Sequence, residues 1–165
     1  MRLVVFIALA ATAVAASGAE AAPAASCSRA AANAAIRQAR PHITSLANTS
    51  MLVTPAMTDE VICFDFTRDG RTELAVTIAS GGTAGDIGFA VLRATPTGGW
   101  RVGLARSGYK LGLFRLGDDV VSSQPIYRKN DPNCCPTGGF DHRRFHWNGA
   151  RFVVAKRWHT TRYRP

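Results

Sequence analysis

From Val61 to Trp158 apolar and polar positions alternate with a period of two, and turn residues recur about every ten positions, the pattern of short strands joined by tight links. The predicted strands are residues 61–66, 73–79, 87–94, 100–106, 109–116, 120–127, 140–147 and 151–158. Leu74, Val76 and Ile78 alternate with Glu73, Ala75 and Thr77, and Trp100, Val102 and Leu104 alternate with Arg101 and Gly103, so each strand has an apolar face and a more polar one. Asn148-Gly149, between Phe145-His146-Trp147 and Ala150-Arg151-Phe152, is the strongest hairpin signal and predicts a type I′ turn. Gly98-Gly99 and Gly117-Asp118-Asp119 are weaker signals of the same kind.

Before the strands the period changes. Ser28 can cap an alanine-rich run, residues 29–40, that carries Arg37 and Arg40 near its end and stops at Pro41. Ala32, Ala35, Ile36 and Ala39 share one face at helical spacing and should pack on a sheet. Residues 42–58 read as a connector with a short strand at 51–54. These elements predict an α+β domain: an N-terminal helix packed on a curved antiparallel β-meander of six to eight strands. A small sandwich or a half-open barrel fits the same pattern.

Ahead of the helix stand Arg2, an apolar run from Leu3 to Ala16, and an Ala-x-Ala site at Ala19-Glu20-Ala21. This order predicts a secretory signal peptide over residues 1–21, a single secreted domain over 22–159 and a basic, frayed tail over 160–165. The apolar run is short for a membrane span, so no transmembrane segment is expected in the mature chain. The expected location is secreted, periplasmic or cell-envelope. An oxidising compartment lets thiols pair, and all four cysteines, Cys27, Cys63, Cys134 and Cys135, lie beyond the cleavage site. Two disulfides are expected. A bridge between the neighbours Cys134 and Cys135 closes a strained ring, so each is expected to reach a different distant partner, Cys27 or Cys63.

Charge narrows the partners. The 165-residue chain carries 20 Lys and Arg against 11 Asp and Glu, a net charge of +9, and the signal removes one residue of each sign. An exported protein does not meet genomic DNA, so the expected partner is an anionic envelope polymer or membrane surface, or an unknown protein, and no nucleic acid; the other reading is that the net charge serves only to keep the protein soluble. The C-terminal hairpin is the most basic region, with Arg143, Arg144, Arg151, Lys156 and Arg157 as candidate anion-binding residues. On a strand His142, Arg144 and His146 face one side and Asp141, Arg143 and Phe145 the other. His142 and His146 are then about 13 Å apart, too far to share a metal ion.

The loop Asp65-Phe66-Thr67-Arg68-Asp69-Gly70-Arg71-Thr72-Glu73 has oxygen side chains at positions 1, 3, 5 and 9 and Gly at 6. This spacing can wrap a calcium ion with Asp65, Thr67, Asp69, the Arg71 carbonyl and Glu73 as ligands. The other reading is a turn in which Asp65 and Asp69 cap backbone amides and pair with Arg68 or Arg71. Gly81 to Asp86 reads as a hairpin turn, since it lacks the Lys and helix of a phosphate cradle. No G-x-S-x-G elbow is present, and no catalytic residue is assigned.

Residues 65–76, the glycine loop 81–88, and above all Gly117-Asp118-Asp119 through Tyr127 to Asp131-Pro132-Asn133-Cys134-Cys135-Pro136-Thr137-Gly138-Gly139-Phe140 resemble the LppP/LprE lipoprotein family of small bacterial envelope proteins. The Asp65 loop also resembles the Asp-rich hairpin turns of FG-GAP and VCBS repeats. The first resemblance implies an envelope location and no assigned activity. Ala24-Ala25-Ser26-Cys27 departs from a lipobox, with Ala where Leu is usual, so lipidation of Cys27 is not favoured. The expected function is that of an exported, disulfide-stapled, non-enzymatic envelope protein of unknown specific role, with anionic surface material as a candidate ligand. The alternatives are a calcium-stabilised binding module for a protein or glycan, and an enzyme with His142 or His146 as general base.

Overall fold

The computed structural model describes residues 27–39, 61–80 and 82–163. The expected signal peptide and the connector strand at 51–54 lie outside the described residues. One helix, α1 (Arg29–Ala39), precedes eight strands. These are β1 (Val61–Phe64), β2 (Glu73–Ala79), β3 (Asp86–Ala94), β4 (Trp100–Ser107), β5 (Gly112–Leu116), β6 (Asp119–Pro125), β7 (Phe140–Trp147) and β8 (Phe152–Thr160). The strands form two four-stranded antiparallel sheets, β1-β2-β3-β4 and β5-β6-β7-β8, in place of the single curved meander expected.

The break between the sheets has a local cause. After β4 the chain stays bonded to β3, with Gly108 N–H donating to Ile87 O at 2.8 Å and Leu111 N–H to Asp86 O at 2.9 Å. Between these two bonds Lys110 takes φ of 50°, in the left-handed region, and past Leu111 the chain leaves the first sheet. Gly108 permits the tight path, because a Cβ there would come within 2.5 Å of Leu111 Cδ1. The predicted strand at 109–116 therefore begins only at Gly112.

The result is three layers: helix, first sheet, second sheet. Leu74, Val76, Ile78, Ala90 and Leu92 point to the helix, where Ala32, Ala35, Ile36 and Ala39 meet them in one buried cluster. Ser28 caps the helix, its Oγ accepting from Ala31 N–H at 3.0 Å. Cys63, on the same face as Val61, bonds to Cys27 and ties the helix start to the sheet, with 5.7 Å between the Cα atoms. That bridge spans 36 residues, which by loop closure stabilises the fold by about 4 kcal/mol. The opposite face of the first sheet supplies Ala75, Phe89, Val91 and Leu104, packed on Leu113, Val120, Phe145 and Phe152 of the second.

Two ends differ from expectation. The hairpin at Asn148-Gly149 is present, but only Gly149 has positive φ, so the turn is not type I′. Instead the Asn148 side chain accepts from Ala150 and Arg151 N–H, and four residues link the strands. Nor does the tail fray as far as Tyr163. Ser123 Oγ donates to Tyr163 O at 3.0 Å, and the Tyr163 ring packs edge-on against Phe140.

Candidate functional site: a basic cleft between the sheets

Register decides which basic residues meet. Arg143 and Arg157 are directly paired on β7 and β8, so their side chains share the face of the second sheet that turns towards the first. That face also carries Phe145, and on β4 Arg106, paired with Phe89 across β3, points towards it. A cleft of about 80 Å3 opens between the sheets here. Phe89, Leu111 and Phe145 form its buried floor, Ser122 a wall, and the exposed Arg106, Arg143 and Asp141 its rim.

Among the described residues none of Arg106, Arg143 and Arg157 forms an ion pair. Asp141, the one carboxylate at the rim, has its Oδ1 3.4 Å from His159 Nδ1. Like charges directly opposite on paired strands are destabilising, and here no carboxylate forms an ion pair with either arginine among the described residues. The rim can therefore hold an anion, with guanidinium N–H groups donating to its oxygens.

The other expected anion-binding residues do not join this group. Arg144 and Lys156 point to the outer face of the second sheet, and Arg151 lies in the β7–β8 turn. Arg144 Nε donates to Asp119, whose carboxylate also lies 2.7 Å from His146 Nδ1. Asp119 is buried and thus already has two partners. His142, Arg144 and His146 do share this outer face, as the strand period implies, but the face is only partly solvated. His142 is 1 % exposed, stacked on Trp158 with ring centroids 5.0 Å apart, with Nε2 2.7 Å from Thr160 Oγ1. Burial pushes its imidazole below the usual histidine range; contacts with the Arg162 backbone and the Asp141 carboxylate oppose that, and His159 adds to it. Its Nε2 meets Thr160 and its Nδ1 is buried, so the ring presents neither nitrogen at the surface. His146 bonds Asp119, which holds its Nδ1.

In the Asp65 loop the three carboxylates do come together, with oxygens of Asp65, Asp69 and Glu73 within 4.8 Å of one another. Each is engaged from within the chain. Asp65 accepts from the N–H of Asp69 and of Gly70, and Asp69 Oδ1 from Arg71 N–H. Glu73 accepts from Thr67 N–H and Thr67 Oγ1, both at 3.1 Å. The capping half of the turn reading holds, but the ionic partner is different. Arg93, from β3, donates through Nη2 to Asp69 at 3.1 Å and brings Nε within 3.8 Å of Glu73. Arg68 pairs instead with Asp118 in the β5–β6 turn. Burial holds the Glu73 carboxyl above the ordinary range, with the Thr67 bonds opposing it in part.

The cysteine loop corrects a pairing. Cys134 and Cys135 are bonded to each other, not to Cys27 or Cys63. Topology explains this: Cys63 is on the helix side of the first sheet, whereas the loop after β6 is anchored at the end of the second. Asp131 holds that loop, accepting from Arg128 N–H, Thr137 N–H and Thr137 Oγ1. The two backbone bonds, Thr137 first, hold its carboxyl below the ordinary range. Asn133 joins it to neighbouring loops: its O accepts from Lys110 and Tyr127, and its Nδ2 donates to Thr83 O.

Arg93, Arg106 and Asp119 are the residues that sequence reasoning missed. Arg106 alone carried a usable signal, since the strand period puts it on the face of Leu104. Comparison with protein-family models, with curated proteins and with solved structures returned no match.

Proposed function

We propose that the protein is an exported, non-enzymatic module of the bacterial cell envelope that binds an anionic wall polymer through the cleft between its sheets. The observation that carries this reading is the pair of arginines without ion pairs, Arg106 and Arg143, at the rim of an apolar floor, with Arg157 paired to Arg143 on the next strand. Cleft size points to a polymer. Small-molecule pockets commonly hold roughly 300 to 1,000 Å3, so a cleft of about 80 Å3 suits one phosphate or carboxylate group of a longer chain. A membrane surface is a poorer fit, because the exposed large hydrophobics Tyr109, Leu116 and Val154 lie apart on the fold. No helix among the described residues is long and apolar enough to cross a membrane.

The resemblance to the LppP/LprE family and the leader-like first 21 residues support the envelope location, and the Cys27–Cys63 disulfide is compatible with it. Co-sedimentation with isolated wall polymer and, separately, with anionic vesicles over a salt series tests the reading. Wall-polymer binding that falls steeply with salt supports it. Binding to vesicles alone, or to neither at low salt, removes it.

A further inference from the structure

The Cys134–Cys135 bridge offers chemistry that anion binding leaves unused. Both cysteines are exposed. A bridge across one peptide bond closes almost no chain, so it takes little entropy from the unfolded state, whereas Cys27–Cys63 spans 36 residues. The loop also stands without it, through the three bonds to Asp131 and those made by Asn133. A disulfide that neither restrains the unfolded chain nor supports its own loop is free to open without unfolding the domain.

Exchange needs an attacking thiolate that can reach a sulfur and a departing thiolate that is stabilised. Exposure provides the first. For the second, the Lys110 ammonium bonds the carbonyl of Asn133, one residue before Cys134, and so anchors a positive charge to the backbone that leads into the pair.

We infer that Cys134–Cys135 is a reversible thiol-exchange site that takes two electrons from a dithiol reductant, while Cys27–Cys63 remains closed. One thiolate of the reductant attacks a sulfur of the pair, the Cys134–Cys135 bond breaks, and a mixed disulfide forms. The second thiol of the reductant resolves it, leaving an oxidised dithiol and two cysteine thiols, with two protons transferred along with the two electrons.

The test is a titration of the full chain with dithiothreitol, quenched with N-ethylmaleimide and read by peptide mass spectrometry, with circular dichroism alongside. Cys134 and Cys135 should become alkylated at reductant concentrations about tenfold or more below those that open Cys27–Cys63, without loss of folded signal. The variant carrying Cys134→Ser and Cys135→Ser should melt as the parent does. Three results overturn the inference: both pairs opening together, opening only with unfolding, or alkylation of Cys134 and Cys135 before any reductant is added. Slower alkylation kinetics in Lys110→Met would confirm the role of the ammonium, and unchanged kinetics would remove that role.

Discussion

Arg93 lies with its guanidinium 4.2 Å from the centre of the Trp147 ring, so a cation from the first sheet covers an aromatic of the second. The same guanidinium bonds Asp69 and approaches Glu73, and its side chain is 10 % exposed. One side chain thus joins the turn after β1, the buried end of β2 and the far strand pair. Gly103 makes room for it, since a Cβ there would lie 3.1 Å from Arg93 Cγ and Cδ.

Arg93→Met should therefore be among the most destabilising single changes. It leaves Glu73, 1 % exposed, without its nearest cation, and breaking a buried pair from one side costs about 3 kcal/mol or more. Urea unfolding of parent and variant measures the difference. A loss below about 1 kcal/mol would show that Thr67 alone satisfies Glu73.

The same arrangement bears on calcium. Because Arg93 and backbone amides already engage the three carboxylates, the parent should melt at the same temperature in millimolar calcium and in chelator. A rise with calcium would show that the ion displaces Arg93 and would restore the calcium-stabilised reading.

His142 sets a pH dependence. Its pKa is lowered in the folded protein, chiefly by burial, and lies near 6.5 in an unfolded chain. As pH falls below about 6.5 the unfolded state takes up a proton that the folded state does not, so stability present above that pH declines until the folded pKa is passed. Melting temperature should fall between pH 7 and pH 5, and the slope should be shallower in His142→Gln. An identical slope in the variant would assign the effect to other groups.

Gly112 and Tyr163 make a steric prediction. A Cβ at 112 would collide with the Tyr163 hydroxyl, so Gly112→Ala should force the end of the chain off the second sheet. Limited proteolysis should then cut near Arg162 in the variant and not in the parent. Equal resistance would mean that Tyr163 relocates without releasing the tail.

Much of the frame was legible because its causes are local. Ser28, the alanine run and the helical spacing of Ala32, Ala35, Ile36 and Ala39 define α1 within a dozen residues, and the capped helix has that buried face. Division into two sheets was not, because it depends on the φ of Lys110 and on Gly108 beneath Leu111, in a stretch whose alternation reads as one strand. The basic hairpin was visible as composition, but its partition came only with register: Arg143 and Arg157 to the cleft, Arg144 and Lys156 to the outer face. Arg93 could not be foreseen, since its partners Asp69, Glu73 and Trp147 are distant in sequence and meet only when the sheets stack. Cysteine count announced two bridges without fixing the pairing, which three-dimensional placement of Cys63 decides.

The most direct test of the anion-binding claim compares the parent with a variant carrying Arg106→Gln and Arg143→Gln, by equilibrium binding to isolated anionic wall polymer at low salt. Both side chains are exposed, so the variant should fold and melt like the parent. Each charge-assisted hydrogen bond lost is worth about 1.5 kcal/mol or more, so affinity should drop at least roughly tenfold. A control carrying Arg151→Gln and Lys156→Gln should keep most of its affinity, because those residues lie away from the cleft. Parent-like affinity in the first variant, or an equal loss in the control, would contradict a cleft-centred site and leave the charge of +9 acting as a diffuse surface property.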